Sequence, residues 1–195
     1  RGMGLGKTFV GGEKLMRLGA KVNLVVCQKS KIEDWVQHFD GYYEKVIVYD
    51  LTNKAQFECF FGSYQVQQID INNVILIGVI NYELVFRRNE LSRLRDFSLM
   101  LDESSLIQNE NSKRAKFILK KLNPANVILL SGTPTNGKYE NLWSQLHLLG
   151  WNISKDLYWR HYIDYEYVDN GAGFPVKVVH GYKNVERLKQ KMREY

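Results

Sequence analysis

Gly2-Met3-Gly4-Leu5-Gly6-Lys7-Thr8 is the stretch on which the reading of this chain turns. Three glycines in five positions leave backbone N–H groups room to close around a polyphosphate, and a helix beginning directly afterwards aims its positive dipole end at the same anion. Gly4, Leu5, Gly6, Lys7 and Thr8 would form the cradle, with Lys7 reaching the terminal phosphates and the Thr8 hydroxyl holding Mg²⁺. ATP and Mg²⁺ are the cofactors this predicts. The strict pattern asks for a glycine where Arg1 stands, so the match covers its second half. A glycine-rich turn that binds nothing is the competing reading.

Composition narrows the classes available. The chain has 195 residues, of which 45% are hydrophobic and 25% charged, enough for one full core and unlike a disordered tail or a fibrous repeat. The longest apolar run, residues 74–80, is seven residues and too short to span a bilayer, and no stretch near the start reads as a secretory signal. A cytoplasmic or nucleoid-associated setting is expected, or a nuclear one in a eukaryote, with no membrane partner. Cys27 and Cys59 have neither zinc-type spacing nor a disulfide framework. Because the sequence opens at Arg1 inside the phosphate loop, it reads as a piece of a longer protein. The net charge of +6 favours a polyanionic partner, although the basic residues are spread along the chain and not massed in one tract.

Working outward from the loop, the hydrophobic period alternates between helix and strand. Phe9 to Leu18 reads as a helix in which Gly11 and Gly12 imply close packing against a neighbour. Val22 to Cys27 is a nearly unbroken apolar run of strand length, as in a strand covered on both faces. Ile32, Trp35, Val36 and Phe39 then follow helical spacing, with Ser30 as N-cap. The alternation continues through a strand at Val46 to Tyr49, a helix around Lys54 to Phe61, a strand at Val74 to Val79 and a helix around Leu84 to Leu94. Next come a strand at Leu99 to Leu101, a helix at Lys113 to Leu122, a strand at Val127 to Leu130 and a helix at Tyr139 to Leu149. The predicted fold class is α/β, a mostly parallel sheet with helices on both faces. From Trp151 onward the sequence turns aromatic, and a turn at Asp169-Asn170-Gly171 predicts a hairpin between Tyr165 to Val168 and Val176 to Val179. Asn184 is read as the cap of a last helix, Val185 to Tyr195. Two parts follow, residues 1–150 and a C-terminal extension, 151–195.

In such sheets ligands sit at the carboxyl ends of strands, so residues directly after each strand carry the chemical interest. Asp102 and Glu103 follow one strand. Asp102 would hold Mg²⁺ and Glu103 would polarise the attacking water as general base. Leu130-Ser131-Gly132-Thr133-Pro134 follows another, and Ser131 and Thr133 could hydrogen-bond near the γ-phosphate and couple its loss to movement. Alone, that second stretch reads equally as a strand-to-helix turn.

Together these residues resemble the first RecA-like lobe of the Swi/Snf family of superfamily-two ATPases. Motif I resembles Met3-Gly4-Leu5-Gly6-Lys7-Thr8, and motif Ia resembles Val25-Val26-Cys27-Gln28-Lys29-Ser30 followed by Trp35. Asn81-Tyr82-Glu83 is similar to the segment before motif II. Motif II resembles Asp102-Glu103-Ser104-Ser105 with Ile107 and Asn109, and motif III resembles Leu130-Ser131-Gly132-Thr133-Pro134, with Asn141-Leu142-Trp143 beyond it. The likeness runs from residue 3 to about residue 150. Arg1-Gly2 stands where the family usually carries an acidic pair, Gln28 where Pro is common, Ser105 where a DEAH-type relative has His, and Gln108 where Lys is frequent.

The resemblance implies a RecA-like P-loop domain, double-stranded DNA as the track and ATP hydrolysis as the motor. It implies backbone-phosphate contacts by the Lys29-Ser30 turn and the Asn81-Tyr82 segment, the Tyr82 ring itself reading as packing more than stacking. Lys29 reads equally as a solvated loop lysine. Trp35 and Trp143 are assigned to the core between helix and sheet. The aromatic cluster from Tyr158 to Tyr167 reads as packing for the hairpin, with a nucleic-acid platform as the alternative. The expected activity is that of an ATP-dependent DNA translocase completed by a second RecA-like lobe bearing an arginine finger. Without that lobe, this piece is expected to be monomeric and to turn over little ATP. A strand-separating helicase or restriction-type motor subunit is the alternative within the enzyme class, and a nucleic-acid-binding scaffold with a decayed ATP site is the alternative outside it.

Overall fold

The computed structural model describes residues 5–67, 74–132, 135, 137–169, 171 and 173–194. Gly4 and Thr133, both expected at the site, lie outside the described residues. The chain divides into two compact units, Arg1–Gly132 and Thr133–Tyr195.

In the first unit, helix α1 (Leu5–Arg17) leads into strand β1 (Val22–Cys27), helix α2 (Ile32–Tyr42), strand β2 (Val46–Asp50) and helix α3 (Lys54–Gln67). Strand β3 (Ile75–Asn81), the single turn α4 (Tyr82–Val85), strand β4 (Phe97–Asp102), helix α5 (Lys113–Lys121) and strand β5 (Asn126–Leu130) complete it. The five strands form one sheet in the order β2-β3-β1-β4-β5, with every pairing parallel. Parallel neighbours need crossovers that lay helices on the sheet, which is why β1 is buried at all six positions.

Side-chain alternation sorts the helices onto two faces. Val25, Cys27, Ile77, Val79, Met100 and Ile128 share a core with Leu15 of α1 and with Ile32, Trp35 and Phe39 of α2, and Val46 and Val48 pack against it. Tyr49, between strand positions of the opposite parity, meets Phe60 of α3 ring to ring at 5.8 Å and shares a hydrogen bond of 2.7 Å with Ser63. The Gly11-Gly12 pair allows the close approach its sequence implied. A β-carbon at Gly11 would fall 2.5 Å from Leu130 Cδ1, and one at Gly12 would fall 2.5 Å from His38 Nε2.

Several local expectations are corrected. Ser30 does not cap α2: residues Lys29–Lys31 form a 3-10 turn, and Lys31 occupies the cap position without a side-chain bond. The helix expected around Leu84 to Leu94 is instead α4, four residues long, and a separate 3-10 segment, Asn89–Arg93. Leu91 and Leu94, both fully buried, are three apart, the period that a 3-10 turn presents to one side. In the second unit, Tyr139 to Leu149 is split into a 3-10 turn (Tyr139–Leu142) and helix α6 (Trp143–Leu148).

That unit continues with a helix absent from the sequence reading, α7 (Lys155–Tyr162), then strands β6 (Ile163–Asp169) and β7 (Pro175–Tyr182) and helix α8 (Val185–Met192). The α7 cap is Ser154, whose hydroxyl accepts from the Leu157 N–H, and Tyr158 and Tyr162 lie on one buried face at i, i+4. The hairpin forms as expected, antiparallel, with Tyr165 opposite Val179 and Tyr167 opposite Lys177. Asn184 precedes α8 but makes no cap bond; its amide donates to the His161 carbonyl at 2.8 Å. Leu142, Leu146, Tyr158, Tyr162, Ile163 and Leu188 form the core of this unit. Trp143, expected between helix and sheet, packs at the edge of that core: it is half-buried, and its Nε1 donates to the Ile153 carbonyl at 2.9 Å. Among the described residues, no helix is long and apolar enough to cross a membrane.

Candidate functional site

Strand register aligns the residues with chemical potential along one edge of the sheet. Cys27 pairs with Asn81, Val26 with Leu101, and Asp102 with Leu130, so the residues that leave β1, β3, β4 and β5 emerge side by side at the carboxyl ends. This edge of an open parallel sheet is where ligands bind, because the chain turns there and helix N-termini face it.

The first turn of α1 enters this edge. Gly6, Lys7 and Val10 line one side of an open cleft of about 270 Å³, and Leu129, Leu130 and Ser131 line the other. Lys7 Nζ lies so close to the turn after β5 that a β-carbon on Gly132 would stand 2.9 Å from it. Glycine at position 132 is therefore what admits the lysine to the cleft. Thr8 is half-buried one residue further along α1.

Asp102 closes β4, half-buried, and is held at two points. Its Oδ2 accepts from Trp35 Nε1 at 2.9 Å, and its main-chain carbonyl accepts from the Tyr82 hydroxyl at 3.0 Å. Burial first, then the negative charge of Asp102, push the Tyr82 hydroxyl well above its ordinary pKa, so it remains a donor. The same two causes raise the Cys27 thiol and keep it neutral.

Glu103 adopts φ 61° and ψ 58°, a left-handed backbone that costs a non-glycine residue about 1–2 kcal/mol. What this turn achieves is visible in its contacts: Glu103 Oε1 accepts from Ser105 Oγ at 3.0 Å and from Ser131 Oγ at 3.2 Å. The carboxylate thus reaches across from the end of β4 to the end of β5. Lys7 by Gly132, Ser131 by Glu103, and Asp102 next in sequence form one continuous row.

The residues expected on the nucleic-acid side separate. Lys29 and Ser30 are exposed in the turn after β1. Tyr82 is fully buried with its hydroxyl spent on Asp102, so its side chain is a strut of the site and not a contact for DNA. Asn81 is 4% exposed, and its amide donates to Glu83 Oε2 at 3.0 Å. The Tyr158 to Tyr167 cluster also divides. Tyr158 and Tyr162 are core, while Trp159, Tyr165 and Tyr167 surround the Lys177 ammonium at 4.6, 4.6 and 5.6 Å.

Sequence reasoning missed the role of Trp35. Its helical spacing marked it as core, which it is, at 1% exposed. The available signal was chemical and incomplete: a buried indole N–H needs an acceptor, but the sequence does not say which group supplies it.

The SNF2-related domain family matches residues 2–195 of the chain. The chain belongs to the SNF2-related domain family. This SNF2-related chain is 28% identical over 158 residues to the SWI/SNF-related matrix-associated actin-dependent regulator of chromatin subfamily A member 1 of Mus musculus, covering 75% of the chain and 14% of that protein. It is 28% identical to the ISWI chromatin-remodeling complex ATPase ISW2 of Saccharomyces cerevisiae, covering 75% and 13%. With the probable ATP-dependent helicase PF08_0048 of Plasmodium falciparum it shares 27% identity across 99% of its own length and 9% of the other's. The chain thus spans about a seventh or less of the length of these relatives. In fold it is similar to the Sulfolobus solfataricus SWI2/SNF2 ATPase core in complex with dsDNA, with a TM-score of 0.60 and 22% identity over 82% of this chain and 33% of that one.

Proposed function

We propose that this SNF2-related chain is the N-terminal ATP-binding lobe of a Swi/Snf-type DNA translocase. The single observation that carries the reading is the row along the sheet edge, in which Lys7 and Ser131 line one cleft, the Ser131 hydroxyl bonds the Glu103 carboxylate, and Asp102 precedes Glu103 at the end of β4. A cation in the first turn of a helix, at a sheet edge whose strand ends also carry acidic groups, suits a nucleoside triphosphate with its metal, so the residues present fit MgATP.

Bound Mg²⁺ would supply charge neutralisation for the phosphate oxygens. Gly4, Leu5, Gly6 and Lys7 bind the phosphates, Lys7 through its charge and the others through backbone N–H groups. Thr8 and Asp102 hold the metal. Glu103, oriented by Ser105 and Ser131, takes the proton of the attacking water at its carboxylate. Ser131 and Thr133 couple that event to movement, since Ser131 already joins the Glu103 carboxylate to the motif that follows β5.

Lys29 and Ser30 contact the phosphate backbone of double-stranded DNA, a role their exposure supports. A second RecA-like lobe completes the motor, and residues 151–195 extend the first lobe, 1–150, toward it. The piece alone is monomeric with little turnover, and the whole protein works on nuclear DNA in a eukaryotic host or in the cytoplasm of a prokaryote. Titrating MgATP against the chain and its Lys7→Ala variant tests the reading: a large loss of affinity is expected, and equal affinities overturn it.

A further inference from the structure

Trp35, read from the sequence as core, has a polar atom on an acidic residue of the site. It sits on α2, in the core that includes Val25 and Met100 on the sheet, stacked on Phe39 at 5.6 Å and 22°. The ring is therefore fixed by packing before its N–H is considered. That N–H donates to Asp102 Oδ2 at 2.9 Å, bridging 67 positions of sequence. The Tyr82 hydroxyl, from the segment after β3, holds the main-chain carbonyl of the same aspartate at 3.0 Å. One donor fixes the backbone and the other fixes the carboxylate.

A strand-end aspartate left to solvent turns about two side-chain torsions. An ionised carboxylate has about four acceptor sites, and a single N–H fills one of them and sets the plane of the group while leaving the rest for a cation. Charge-assisted bonds of this kind are roughly twice as strong as neutral ones. Phenylalanine would keep a ring in this core without the donor, so apolar packing alone does not call for an N–H aimed at a carboxylate.

We propose that Trp35 is a positioning residue, orienting the Asp102 carboxylate so that it receives the divalent cation of a bound nucleotide. The inference rests on the nucleotide reading of this site and assigns a residue to its metal-holding part. Partners that orient a metal-binding carboxylate typically matter by about 10–100-fold in metal affinity.

The test compares the chain with its Trp35→Phe variant, measuring the affinity of the non-hydrolysable analogue AMP-PNP with Mg²⁺ and with EDTA. The variant is expected to lose about 10-fold of the Mg²⁺-dependent gain while its EDTA affinity stays near that of the parent, its urea midpoint falling because the smaller ring leaves a cavity. An unchanged Mg²⁺-dependent gain overturns the proposal. A second measurement needs no substitution at Trp35. In the ¹H–¹⁵N spectrum of the parent chain, the Trp35 indole signal should shift on Asp102→Asn substitution and on adding Mg²⁺ to the AMP-PNP complex. A signal unmoved by both overturns the proposal even where Trp35→Phe fails to fold. Lys7→Ala separates the two levels: loss of AMP-PNP binding there with normal Mg²⁺ dependence in Trp35→Phe removes only this inference, whereas unaltered binding in Lys7→Ala removes the nucleotide reading and this inference with it.

Discussion

Ser131 Oγ stands 3.2 Å from Glu103 Oε1, so the hydroxyl that follows β5 is bonded to the carboxylate that follows β4. Two segments 28 positions apart in sequence are thereby joined by a side-chain bond. In the two-lobed protein, Glu103→Gln is expected to lower the ATPase rate by about 10²–10⁴-fold while MgATP affinity changes little, because a general base acts in the chemical step. Ser131→Ala should lower the rate less, since Ser105 still holds Glu103. Steady-state hydrolysis beside equilibrium nucleotide binding checks both.

Gly132→Ala places a methyl group 2.9 Å from Lys7 Nζ. The atom displaced is the far end of a flexible side chain, so the fold is expected to survive with its melting temperature nearly unchanged. The ammonium, however, must leave its place in the cleft. A loss of about 10-fold in nucleotide affinity, equivalent to about 1.4 kcal/mol, is the expected outcome by calorimetric titration.

Gly12→Ala addresses the fold and not the site. Its new β-carbon would lie 2.5 Å from His38 Nε2, within a ring shared by Phe9, Trp35, Tyr42 and Tyr43. Overpacking of this kind costs about 1–3 kcal/mol. Combining it with His38→Ala removes the obstructing ring, so the two changes should be strongly non-additive in urea denaturation.

His38 also gives the first unit a pH dependence. Burial lowers its pKa below the ordinary 6.5, so the folded state favours the neutral ring. The unfolded state then binds more protons as the solution is acidified. The stability contributed is complete above about pH 6.5 and declines as pH falls below that value toward the lowered folded one. Urea midpoints at pH 7.5 and 5.5 should differ more for the parent chain than for His38→Gln.

The parallel sheet was legible because each buried strand is a short apolar run followed by residues of a different chemistry, and that same punctuation marked Asp102, Glu103 and Ser131. The contacts among those residues were less so. The Trp35 spacing declares a buried face but not the acceptor for its N–H, since the acceptor arrives on another strand. The sequence around Tyr82 suits both packing and a DNA-contacting segment, and only the three-dimensional placement of its hydroxyl under Asp102 separates the two. Helix α7 went unread because four of its eight residues are aromatic or histidine, a composition that suggests a strand unless the i, i+4 placement of Tyr158 and Tyr162 is weighed above it. The segment 84–94 failed for the opposite reason: its leucines have helical spacing on paper, yet Leu91 and Leu94 are satisfied by a tighter turn.

Glu103 holds its place in a backbone conformation that glycine or asparagine would occupy with less effort. Selection for thermal robustness alone would therefore erode this position, drifting toward a smaller residue and discarding the carboxylate. A library screened first for survival on heating and then for hydrolysis should show the two traits in opposition at this codon, a local conflict between durability and turnover.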